Sequence, residues 1–145
     1  MIEEEEAKKR VEEGWIKSWV AFEALAINEE VAKNALETLI SKLEKDERVR
    51  TYGKKFGDVK KVEKPLEGIE SGYSVTAELN VISKNFENLS EIAIEYGPSA
   101  VEVIEPNKIE MKIGEAQSVL NNISNMMHRL AASGAGGIVF MKAEE

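Results

Sequence analysis

His128 is the only histidine in this chain, and it stands beside Arg129 near the end of a run that contains Gln117, Asn121, Asn122 and Asn125. A single imidazole can serve as one general acid or base, and it excludes metal sites that need several histidines. The sequence has no cysteine, so thiolate nucleophiles, disulfides and cysteine-held zinc or iron–sulfur centres are excluded too. Carboxylates are plentiful, yet none follows a catalytic or metal-ligand spacing. Ser118, Ser124 and Ser133 lack the G-x-S-x-G setting of an activated serine. The glycines of SGAGG at 133–137 follow a helix instead of opening one, which is the wrong geometry for a phosphate loop. No metal and no cofactor is expected. The chemistry left open is a site assembled between subunits from His128, Arg129, Tyr96 and a carboxylate such as Glu102.

The helix that carries His128 is unusual in its polarity. From Gly114 to Ser133 formal charge occurs only at Glu115 and Arg129, and Asn121 and Asn125 share the polar face with His128. Charged residues make up 32% of the chain, so an ordinary solvated face would be built of Lys and Glu. Uncharged amides point to partial burial in a subunit interface or in a polar ligand groove, with a lightly solvated surface as the plain alternative.

Several elements must position these residues. Glu3–Glu13 is charged and closed by Gly14, which predicts a short N-terminal helical arm outside the main core. Residues 15–27, GWIKSWVAFEALAI from Gly14, are rich in residues that suit a pleated, half-buried surface and predict a strand, although Trp15, Trp19, Phe22 and Ala26 also keep a helical spacing. Asn28 caps a helix whose stripe includes Leu36, Ile40 and Leu43. An irregular, basic strand follows over about Arg48–Val62, then a loop, then a strand in which Tyr73, Val75, Ala77, Leu79 and Val81 alternate with polar residues. Asn85 caps the next helix, which Gly97 and Pro98 end. Val101 and Val103 alternate in a short strand expected to bend at Pro106 and continue through Ile109, Met111 and Ile113. A long last helix closes at SGAGG before a strand-like IVFM.

The order is strand, helix, strand, strand, helix, strand. It predicts an α+β protein, with a ferredoxin-like βαββαβ antiparallel sheet, an added C-terminal helix and short strand, and a short N-terminal helix. Residues 1–145 are read as one domain: an arm at 1–14, a ferredoxin-like core at 15–113, and a C-terminal helix and strand at 114–145. Trp15 and Trp19 fall opposite Ile16, Val20 and Phe22, so both faces of the first strand are partly apolar. One helical layer covers one face only, and the second must meet a terminal helix or another subunit. Trp15 and Trp19 are therefore candidate interface residues, and a homo-oligomer is expected.

The run Arg48, Arg50, Lys54, Lys55, Lys60, Lys61 and Lys64 could contact a polyanion, but the favoured reading is a sheet edge whose lysines block edge-to-edge pairing. A net charge of -8 also opposes nucleic-acid binding. No apolar run of about 18 residues exists, which leaves no membrane partner, and a cytoplasmic setting is the default expectation. The Lys/Glu-heavy composition is of the kind that hyperthermophile proteins favour.

The segment GYSVTAELNV, NFENLSEIAIEYG and GPSAVEVIEP, residues 72–106, resembles the C-terminal extension domain of the WYL transcriptional regulators, with its G-x-x-V-E-V-x-x-P strand. That resemblance implies effector sensing and oligomerisation. Taken whole, with its ending MMHRLAASGAGGIVF, the sequence is similar to small archaeal proteins of uncharacterised function. Residues and resemblance together favour a non-catalytic, oligomeric regulatory or ligand-sensing module. Tyr96, Glu102, Asn121, Asn125, His128 and Arg129 are its candidate ligand or interface residues. The alternatives are an enzyme built around His128 and, less favoured, a nucleic-acid-associated protein.

Overall fold

β1 (Ile16–Ala26) and β4 (Ile69–Ser83) alternate apolar and polar residues, and they pair antiparallel from Ile16 opposite Ser83 to Ala26 opposite Tyr73. This pair is the centre of an antiparallel sheet in the order β2-β4-β1-β5, with β2 spanning Val49–Phe56 and β5 spanning Ala100–Glu105. β3 (Lys60–Leu66) also pairs with β4. Among the described residues, four helices complete the α+β arrangement: α1 (Glu4–Glu12), α2 (Glu29–Glu44), α3 (Phe86–Tyr96) and α4 (Ile113–Ser133). The computed structural model describes residues 1–133. The strand expected at IVFM, 138–141, lies outside the described residues.

Caps set the helix limits. Asn28 Oδ1 accepts from the Val31 amide at 2.8 Å, and Asn85 Oδ1 accepts from the Asn88 amide at 2.8 Å. Each satisfies a donor that the first turn leaves without an intrahelical partner. Gly97, at φ 56 and ψ 52, takes the left-handed conformation that ends α3, and its amide bonds to the Ala93 carbonyl.

Two expectations need correction. The single basic strand is two strands, with residues 57–59 between Phe56 and Lys60 outside both; Gly53, at φ 65, forms a bulge within the first of them, between Tyr52 and Lys54. The strand expected to continue past Pro106 does not: β5 ends at Glu105 and α4 begins at Ile113. α1 lies outside the main core, as expected, but it packs on a smaller core of its own. Ala7 is buried, and Ala7, Tyr52 and Ile82 form a second apolar cluster with Ile2, Val11 and Trp15 around it.

The two clusters lie on opposite faces of the sheet, since Ile82 points away from its neighbours Val81 and Ser83. α2 and α3 cover the face that carries Val20, Phe22, Leu79 and Val81. α1 covers only one end of the other face. Trp15 precedes β1 and packs within its own chain against that second cluster, with the Arg10 guanidinium 5.3 Å from its ring centre. Trp19 lies half-buried between Asn80 and Glu102, on the side that α2 and α3 leave open.

Among the described residues, the hydroxyls of Ser18, Thr51 and Ser83 are buried without a hydrogen-bond partner. Ser18 and Thr51 flank Val81 from opposite sides, on the helix-covered face. A buried donor left unpaired carries its full desolvation cost. Replacing Thr51 with the isosteric valine is expected to raise stability by about 1 kcal/mol, read as a higher urea midpoint at an unchanged slope.

Candidate functional site

α2 ends at Glu44, and the chain turns through Asp46 before entering β2 at Val49. Asp46 Oδ1 accepts from the Arg48 amide at 3.0 Å and from Arg48 Nε at 2.9 Å, while Arg48 Nη2 donates to Oδ2 at 2.7 Å. This forked pairing fixes the guanidinium in direction as well as position. From there Arg48 Nη1 donates to Glu91 at 3.3 Å, and Nη2 donates to Glu95. The Tyr96 hydroxyl donates to Asp46 Oδ2 at 2.8 Å, and Lys42 Nζ lies 5.7 Å from the centre of the Tyr96 ring. Three carboxylates thus converge on the Arg48 guanidinium, and the phenol bonds to one of them.

The electrostatics follow the contacts. The side-chain bonds from Arg48 hold the Asp46 carboxyl well below the usual carboxylate range, against the opposing effect of burial. The same pairing with Asp46 raises Arg48 above its ordinary value. Burial first, and then the hydrogen bond to Asp46, push the Tyr96 phenol up to about 12.

α4 lies alongside α3. Glu115 Oε1 accepts from the Glu87 amide at 3.3 Å, so its carboxylate stands at the positive end of α3. Farther along, the two helices and Arg48 enclose an open groove of about 1060 Å³. Glu91, Ile94 and Glu95 form one wall, and Asn122, Asn125, His128 and Arg129 stand in the other. The groove offers amides that both donate and accept, guanidinium donors, and carboxylates already engaged by Arg48. Such a lining can hold a polar small molecule by directed hydrogen bonds. Among the described residues, no group of three or more His, Asp or Glu is placed to hold a metal ion.

The expected site residues separate into three groups. Asn125, His128 and Arg129 line the groove together. Tyr96 is buried beneath it, where its hydroxyl is occupied by Asp46. Asn121 accepts from Gln117 Nε2 at 3.4 Å along the exposed side of α4. Glu102 is opposite Trp19 on β5, on the other face of the sheet from α3. Sequence reasoning missed Asp46, Glu91 and Glu95, and it placed Arg48 in a basic run along a sheet edge. A signal was present: Glu91 and Glu95 are one turn apart, and like charges at that spacing repel unless a cation lies between them. The basic run is depleted further by Lys54, which bonds to Glu44 at 2.6 Å.

The Asp46 contacts have a pH signature. A depressed carboxyl stabilises the fold above its unfolded value of 3.8, and that contribution is lost as pH falls through the folded value. Urea midpoints measured from pH 7 to pH 2 are expected to fall on acidification below about pH 4. Asp46→Asn is expected to be less stable than wild type at pH 7, with the difference shrinking toward pH 2.

Residues 17–143 match the family model described as the MJ0538 family. No curated protein matches the chain.

Proposed function

This chain belongs to the MJ0538 family, and we propose that it works as a non-catalytic, oligomeric regulatory module that senses a polar small molecule between α3 and α4. The observation that carries this reading is the groove, which gathers Asn125, His128 and Arg129 opposite Glu91 and Glu95. A surface without a ligand to select would not need neutral amides in a chain with 32% charged residues. Counting β2 and β3 as one interrupted edge strand, we read the sheet as ferredoxin-like. The family match lends no support to a likeness of residues 72–106 to the regulator extension domain. No helix among the described residues is long and apolar enough to cross a membrane, and a cytoplasmic setting goes with the cysteine-free composition.

Native mass spectrometry of freshly purified protein tests the ligand directly. Wild type is expected to carry a retained small mass that is lost in Arg129→Ala and reduced in Asn125→Leu, with both variants keeping the wild-type circular dichroism. Bare protein at every charge state would remove the sensing reading.

One observation favours an enzyme instead: His128 shares the groove with two carboxylates and Arg129. Turnover of the retained molecule, with a pH profile in the imidazole range that His128→Ala abolishes, would establish that second reading.

A further inference from the structure

α4 has two contact faces, and α3 uses only one. Glu115, Val119, Asn122 and Met126 recur at intervals that trace the side toward α3, and Val119 is the buried member of the set. A second series, Ile113, Ala116, Leu120, Ile123 and Met127, recurs at intervals of three, four, three and four, while Leu130 turns into the groove. This is the heptad spacing that lets one helix pack along another for several turns. Yet the four large members of this seam face outward, with Ile113 87% exposed, Leu120 62%, Ile123 43% and Met127 44%, and only Ala116 is half-buried. Scattered exposed apolar residues need no partner, whereas a continuous stripe of them does.

Resting on the oligomeric part of the function proposed above, we infer that this seam is covered by α4 of a second copy of the chain, the two helices running antiparallel. Charge selects the occupant. On its open side the seam is flanked by Gln117 and Ser124, both uncharged, and on the other by Val119 and Met126, which face α3. A membrane surface calls for a cationic rim, and α4 carries a single arginine. Two copies of a chain with net charge -8 repel one another, and this neutral face is where they can approach. The amides of Gln117 and Asn121 both donate and accept, so they are complementary to their own kind.

Charge also selects the direction. The helix dipoles supply it: an antiparallel pair sets the positive end of each helix beside the negative end of the other, and a parallel pair brings like ends together. Antiparallel packing then stacks Leu120 on the partner's Ile123 and Ala116 on the partner's Met127, with the two-fold axis between Asn121 and Asn122. Because the seam lies on a different side of α4 from Asn122 and Met126, this pairing leaves the α3/α4 groove open.

Sedimentation velocity on the full chain is expected to give a dimer of 16.1 kDa protomers. Ile123→Glu places an unpaired charge in the seam and should weaken dimerisation by about a hundredfold or more, while circular dichroism keeps the helix content. Orientation is read by oxidative cross-linking, for which the chain has no cysteine of its own. Chains carrying Ala116→Cys mixed with chains carrying Met127→Cys should link to one another. Ala116→Cys chains alone should not link, because the two thiols would stand about 16 Å apart along the helices. Links between two Ala116→Cys chains would overturn the antiparallel arrangement. A dimer indifferent to Ile123→Glu would overturn the seam while leaving the oligomeric reading standing. A wild-type monomer, with the seam covered inside its own chain or by another protein, would overturn both.

Discussion

The position of α3 depends on one cation. α3 sits on the sheet through Leu89, Ile92 and Tyr96, and its solvent side is tied back to the α2–β2 turn by Arg48, which bridges Asp46 to Glu91 and Glu95. The Arg48 side chain is 27% exposed and that of Asp46 13%. That places the cluster between a screened surface pair, worth about 0–1 kcal/mol, and a buried one, whose disruption costs about 3–5 kcal/mol. Everything on the outer side of the molecule inherits this arrangement. α4 rests on α3, so both the groove and the outward seam are placed relative to the sheet by contacts that run through Arg48.

The distribution of polarity on α4 follows from that placement. A helix that closed directly over the sheet would turn its longest apolar side chains inward. α4 instead meets α3 on its solvent side, where Glu87, Glu91 and Glu95 stand, and the face it turns there is mixed: Val119 is buried, Glu115 accepts from the Glu87 amide and Asn122 lies across the groove. The long apolar residues Leu120, Ile123 and Met127 are left outside. Neutral amides reconcile the two demands, since they can be desolvated at far lower cost than Lys or Glu on either side of the helix.

Local signals were legible in the sequence, and long-range ones were not. Asn28, Asn85 and Gly97 act within a few residues of themselves, so their capping roles can be read without knowing the fold. The alternation in β1 and β4 reports burial directly, and it placed the central strand pair. Ile109, Met111 and Ile113 show the same alternation without forming a strand, because the backbone beyond Glu105 has no neighbour to pair with. Arg48 looked like one member of a basic edge, because its three carboxylates come from Asp46 in the preceding turn and from α3, more than 40 residues away. Tyr96 reads as a ligand residue by type, and only its bond to Asp46 shows the hydroxyl to be occupied. The uncharged face of α4 was visible, but which side of that helix would meet α3 depends on a cluster that no local pattern encodes.

The groove and the seam are two sides of one helix, which bears on how a sensing module could respond. A molecule bound against Asn125 and Arg129 contacts α4 directly, and α4 is also the element that a second copy would grip. If binding shifts α4 on α3 at all, it changes the fit of Leu120 and Ile123 to the partner's seam. Linkage then requires the converse, that pairing of two copies alters affinity in the groove by the same factor. The size of that coupling is limited by how firmly α3 itself is held, since a support that yields would absorb the movement of α4 instead of passing it on. A guanidinium shared among Asp46, Glu91 and Glu95 is a stiff support, and a turn more flexible than Asp46–Arg48 at that point would uncouple the two sides.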